Sequence, residues 1–263
     1  MGFDGTAWVR NWTLPRFVGA TGKTVALGAL AFGTLSCAKF PAGGGTSQGT
    51  QINFTITMAG PLNPNYIYIV AIYASNLVNP ASQLPLGGPQ PVYGIGSANG
   101  FMAGEATTYI VLNPALGSQM YTVYQVGDPT DAGTTQNTPI GYPVNYINPN
   151  PTIPGGQYGS QWGFQISSSL LASSVATADQ LQSMTFNILT MNKTTLGGTS
   201  GRLIDALGNT ATMQNLPQTV QLNTSSTTTN ASLGSIEPSN DEYGGGYDPA
   251  LDITDFSVQV SPA

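Results

Sequence analysis

The chain has 263 residues, a formal net charge of −6, no histidine and a single cysteine. Without histidine there is no Ser-His-Asp or Cys-His catalytic arrangement, no HExxH zinc site and no haem held by a protein imidazole, and one cysteine excludes an internal disulfide. Beyond residue 36 only Lys39, Lys193 and Arg202 face eleven acids, so no basic face exists to neutralise nucleic-acid phosphates.

Residues 1–37 divide from the rest by composition. Arg10, Arg16 and Lys23 precede an apolar run over residues 24–36. The run falls short of the about 20 residues that a membrane-spanning helix needs, and it suits the core of an export signal. It ends in Thr34, Leu35, Ser36 and Cys37. Ser36 and Cys37 resemble the close of a bacterial lipoprotein signal, whereas Thr34 and Leu35 depart from its usual leucine and small residue. The resemblance implies diacylglycerol transfer to Cys37, a membrane partner through that lipid, and a place in the cell envelope at the outer membrane or cell surface. Residues 38–50, rich in glycine, serine and threonine, read as a flexible linker. Residues 51–263 are then expected to form one domain.

In that domain residues 51–58 alternate, with Ile52, Phe54, Ile56 and Met58 on one face and Asn53, Thr55 and Thr57 on the other, the mark of a half-buried strand. Residues 66–74, YIYIVAIYA, are apolar on both faces and predict a central strand covered on both sides. Four prolines over residues 76–91 predict a long surface excursion. Strands are predicted over 107–112 and 120–126, then a long loop over 128–157 with a short strand at 143–147. Residues 161–166 alternate through Trp162, Phe164 and Ile166, which places Trp162 in the core. Leu170, Leu171, Val175 and Leu181 among serines and alanines predict one short helix over 167–181. Strands follow at 183–191, 218–223 and 252–260, with loop over 224–250. The sum is an all-β fold: an antiparallel two-sheet β-sandwich with one short helix.

The run YGSQWGFQISSSLL, then MTFNILTMN with its Phe186–Asn187 pair, then DITDFSVQV, is similar to the late strands of DOMON sandwiches and of family 9 carbohydrate-binding modules. The resemblance implies a ligand-binding or redox-cofactor module. Haem-binding members use a Met/His pair, which a chain without histidine cannot supply, so the carbohydrate branch is the one retained.

Tyr142, Tyr146 and Tyr158 are candidates for a platform on which sugar rings stack, with ordinary packing of a long loop as the competing reading. Asp241, Glu242 and Asp248 in NDEYGGGYD, followed by Asp252 and Asp255, offer hard oxygens near glycines, the chemistry calcium needs, though a solvated acidic loop has the same composition. No cofactor is expected beyond that calcium. Asp128 and Asp131 read as turn residues. Glu105 and Glu237 stand in no recognisable catalytic setting, so no catalytic residue is assigned and the chain is not expected to be an enzyme. The expected function is an exported, lipid-anchored binding protein for carbohydrate or another neutral surface component, polysaccharide or surface protein. The alternative is a structural surface protein that assembles without a small ligand, and a secreted enzyme comes third.

Overall fold

The computed structural model describes residues 49–91, 102–128, 137–151, 155–192, 203–244 and 246–263, which belong to one compact unit, Thr46–Ala263. The export segment, Cys37, Asp131 and the linker up to residue 48 lie outside the described residues.

In chain order the strands are β1 (Gln51–Met58), β2 (Tyr66–Ser75), β3 (Gln90–Pro91), β4 (Met102–Gly104), β5 (Thr108–Leu112) and β6 (Tyr121–Val126). Then come β7 (Asn137–Gly141), β8 (Asn145–Ile147), β9 (Gln161–Ser167), β10 (Ser183–Asn192) and β11 (Ile204–Ala206). The last are β12 (Gly208–Asn209), β13 (Gln214–Asn215), β14 (Gln218–Gln221), β15 (Ser226–Thr229) and β16 (Ile253–Ser261). A five-stranded sheet runs β15-β16-β1-β9-β8, and a seven-stranded sheet runs β11-β10-β2-β5-β6-β7 with β14 beside β11 on β10. Pairing is antiparallel throughout both sheets.

The sequence periods account for the layers. In β1 the apolar set Ile52, Phe54, Ile56 and Met58 is buried while Asn53, Thr55 and Thr57 stay half-exposed. Opposite it, β2 and β10 bury both faces: Tyr68, Val70, Ile72, Phe186 and Ile188 enter the inter-sheet core. Ile69, Ala71, Leu189 and Met191 enter a second apolar cluster with Tyr109, Ile204 and Ala206. Side chains alternate faces along a strand, so the second cluster lies on the far side of the seven-stranded sheet. Aromatic rings knit the main core, with Phe54 5.1 Å from Phe164 and 5.4 Å from Phe186, and Tyr68 5.9 Å from Trp162. Trp162 is fully buried, as its alternation predicts.

Gly163 interrupts this rule for a steric reason: a Cβ there would lie 2.1 Å from the Phe54 carbonyl oxygen. The Gly163 N–H donates to the Tyr121 hydroxyl at 3.1 Å, and that hydroxyl donates to the Ile147 carbonyl at 3.0 Å. A core tyrosine from one sheet thereby completes the hydrogen bonding between two strands of the other.

Three stretches differ from their predicted form. The helical element between β9 and β10 is a single 3₁₀ turn, Ser168–Leu171, shorter than residues 167–181. Serine hydroxyls compete with the helical ladder here, with Ser167 Oγ accepting from Ser169 N at 3.3 Å and Ser173 Oγ from Val175 N at 3.1 Å. The stretch read as loop from residue 224 contains β15, an edge strand of serine and threonine. The long loop from residue 128 contains β7 as well as β8. Among the described residues no helix is long and apolar enough to cross a membrane.

Phe54 is 1% exposed and touches rings from both sheets. Phe54→Ala is expected to cost about 3–5 kcal/mol in urea unfolding, whereas Asn53→Ala, one residue away on the outer face, stays within about 0.5 kcal/mol. Equal losses at the two positions contradict this division of faces.

Candidate functional site

Of the ten acidic residues among those described, Glu105, Asp205, Glu237, Asp241, Glu242 and Asp252 are buried. Acids are rarely buried without partners, so each of the six needs an account. Glu105 has a local one. Its Oε1 accepts from Leu86 N at 2.7 Å and its Oε2 from Gly88 N at 2.8 Å, which pins the proline-rich excursion to the sheet. Glu105 takes the left-handed backbone conformation, φ 55°, to reach them.

The others gather where the two sheets meet. Asp205 sits on β11, with its Oδ2 accepting from Ile253 N, the first residue of β16, at 2.7 Å and its Oδ1 from Ala206 N at 2.9 Å. One carboxylate thus ties the edge of the seven-stranded sheet to the start of a strand in the other. Asp252 precedes β16 and accepts from Asn240 N at 3.2 Å. Asn240 has φ 59°, a conformation asparagine tolerates well, and it turns the chain so that Asp241 follows into the same region. Asp241 Oδ2 accepts from Thr210 N at 2.7 Å, and Glu237 Oε2 accepts from Gly208 N at 3.0 Å. One carboxylate oxygen each from Asp205, Asp241 and Asp252 lie within 4.8 Å of one another, the arrangement of residues that can hold a metal ion.

Burial works against ionisation in this cluster. It raises Asp205 well above the usual carboxylate range, with Asp241 adding repulsion. Burial, followed by Asp205 and Asp241, pushes Glu237 up to about 11. Burial raises Asp241 to about 6 against the opposing Thr210 N–H, and raises Asp252.

Asp241, expected to share calcium with Glu242 and Asp248, instead stands with Asp205 and Asp252. Asp248 is engaged elsewhere: its Oδ2 accepts from the Tyr66 hydroxyl at 2.5 Å and its Oδ1 from Ala250 N at 3.0 Å. That bond, ahead of burial, pushes Tyr66 up to about 12. Glu242 Oε1 accepts from Asp248 N at 3.2 Å, closing the loop on itself. Asp255 and Asp128 are exposed. Asn187 of the Phe186–Asn187 pair is a structural bracket, donating to the Pro89 carbonyl at 2.9 Å and accepting from Leu207 N at 3.1 Å.

Tyr146 packs at a tilt against Tyr121, ring centroids 5.1 Å apart, and Tyr158 is partly buried against the same core. Tyr142 is 59% exposed and is the one of the three that offers an open ring. Register supplies a different surface. On the outer face of the five-stranded sheet Thr227, Gln259, Asn53, Gln165 and Asn145 stand opposite one another in a row across all five strands. The row spans about 19 Å at the usual strand spacing of about 4.8 Å. Thr229, Ser257 and Thr55 form part of the next row, and Asp255, opposite Thr57, carries a charge on this face. Asn145 Nδ2 donates to Gln165 Oε1 at 2.6 Å within the first row.

No protein-family model matches the chain, and no match was found among curated proteins or among solved structures.

A pH dependence follows for protein freed of cations. Unfolded carboxyls titrate near about 4, while the folded Asp241 and Glu237 hold their protons to about 6 and about 11. The folded state therefore binds more protons between these values, and the resulting stability is full below about 4 and is lost as pH rises through the folded pKa values. Urea unfolding in EDTA is expected to show lower stability at pH 8 than at pH 5, and a rise over that interval contradicts the cluster's electrostatics.

Proposed function

We propose that this chain is an exported, lipid-anchored surface protein whose sandwich binds a neutral, hydroxyl-rich polymer, a polysaccharide being the class that fits. The observation that carries the reading is the outer face of the five-stranded sheet. Its row of Thr227, Gln259, Asn53, Gln165 and Asn145 offers paired donors and acceptors at regular intervals with almost no charge. Such a surface suits a ligand that also carries repeated donors and acceptors and no charge. The similarity to family 9 carbohydrate-binding modules supports the same ligand class. Tyr142, exposed on the chain entering β8, adds an apolar ring for a sugar face.

A second reading has its own observation. Among the described residues β15 is one of the two edge strands of this sheet, and its Ser-Thr-Thr-Thr sequence has neither lysine nor proline to discourage pairing with another edge. Assembly of copies edge to edge is the structural alternative.

Affinity electrophoresis of the compact Thr46–Ala263 unit through gels holding neutral polysaccharides separates the two. A net hydrogen bond contributes about 1 kcal/mol. Asn53→Ala, Gln165→Ala and Gln259→Ala together are therefore expected to weaken retardation on the order of a hundredfold. No retardation by any polymer, with self-association that grows with concentration, favours assembly instead. Anchoring has a separate test: Cys37→Ala is expected to move the full-length protein from the membrane fraction to the soluble one, and continued sedimentation with membranes contradicts lipidation.

A further inference from the structure

Glu237 and Asp241 are 6% and 5% exposed, and each leaves one carboxylate oxygen, Oε1 and Oδ1, with no hydrogen-bond partner. A buried acceptor without a partner is costly, more so when charged. Asp205 and Asp252, 0% and 1% exposed, complete the group. Four carboxylates therefore converge in a region shielded from water, and the described residues contain no lysine, arginine or histidine to offset them. Five backbone N–H groups, of Ala206, Gly208, Thr210, Asn240 and Ile253, already donate to these carboxylates. Donors aimed at a carboxylate favour its ionised form. The cluster thus has the hydrogen bonding of charged groups and, among the described residues, no counter-charge.

We propose that Asp205, Asp241 and Asp252, with Glu237 beside them, form a binding site for one calcium ion, which fastens β11 of the seven-stranded sheet to the entry of β16 in the five-stranded sheet. Geometry and ligand chemistry select the ion. Calcium takes six to eight oxygen ligands at about 2.4 Å. Two oxygens on one such ion are then at most about 4.8 Å apart, the limit within which oxygens of Asp205, Asp241 and Asp252 lie. The unpartnered Oδ1 of Asp241 supplies an acceptor that the protein leaves otherwise unused. Magnesium is less suited, since it demands near-octahedral ligands at about 2.1 Å and keeps several waters. Zinc and copper favour imidazole or thiolate, and the chain has no histidine and its cysteine is Cys37. The site goes beyond the polysaccharide reading and stands apart from it, because its ligands are buried at the seam between sheets while the neutral row lies on an outer face.

The cluster also explains residue choices that look unfavourable singly. Asp205 stands between Ile204 and Ala206, both fully buried, and Asp252 between Leu251 and Ile253, likewise fully buried. Placing ionised acids among such neighbours is destabilising unless a cation joins them, and binding to the folded state alone then becomes folding free energy.

The test uses the purified full-length protein, stripped with EDTA and titrated with calcium chloride alone. Calorimetry is expected to give one calcium per chain, and Tm to rise by roughly 5–10 °C at about a hundred times the Kd. Asp241→Asn keeps the acceptor for Thr210 N but removes one charge, so it is expected to weaken calcium binding about tenfold or more while melting no lower than the parent in EDTA. A role limited to hydrogen bonding predicts a calcium affinity unchanged by this substitution, and that result overturns the site. Asp248→Asn, at the Tyr66 loop, is expected to leave the calcium response intact. Absence of heat and of any Tm change with calcium overturns the proposal. So does a calcium-insensitive parent in which Arg202→Gln lowers Tm, since the counter-charge is then a guanidinium.

Discussion

The constraint that organises the described residues is that six of their ten acids are buried while the outer face of the five-stranded sheet is made mainly of neutral polar groups. Ordinary soluble domains do the reverse. Here Asp205, Asp241, Asp252 and Glu237 are buried together, while the outer face of the five-stranded sheet is made of amides and hydroxyls in register. The inward charges lie at the one seam where β11 of one sheet meets β16 of the other through the Asp205–Ile253 hydrogen bond. Whatever neutralises that cluster also closes the sandwich there.

The rest of the scaffold is held by packing. The aromatic chain from Phe164 through Phe54 to Phe186 and Phe256 crosses from sheet to sheet, with ring centroids 5.1 to 6.1 Å apart. β2 and β10 are buried on both faces, so the seven-stranded sheet lies between two apolar clusters, while the outer face of β1 in the five-stranded sheet is polar and half-exposed. An open face with few charges avoids the strong hydration of ionic side chains, and its hydrogen-bonding groups remain available to a ligand that resembles them.

Much of the fold was legible in the sequence because burial on one face leaves a period of two. The alternation through Ile52, Phe54, Ile56 and Met58 marks β1, and the doubly apolar YIYIVAIYA marks β2 as central. β15 was illegible because an edge strand of serine and threonine buries too little to leave a period. The predicted helix over 167–181 shrank to one turn because serine hydroxyls satisfy the backbone locally. At the acidic cluster Asp241 and Asp252 were visible as part of an acidic loop, but Asp205 lies far from them in sequence and joins them through sheet topology. The available signal was a lone aspartate between Ile204 and Ala206 in a chain only 7% charged. Tyr146 and Tyr158 share their composition with a sugar platform, and only packing reveals that their rings lie against the core.

The most direct measurement is a crystal structure grown with calcium, with anomalous differences collected. The account predicts a single peak at the seam, about 2.4 Å from oxygens of Asp205, Asp241 and Asp252. A water molecule or the end of a basic side chain in that position, with the carboxylates otherwise unchanged, contradicts it.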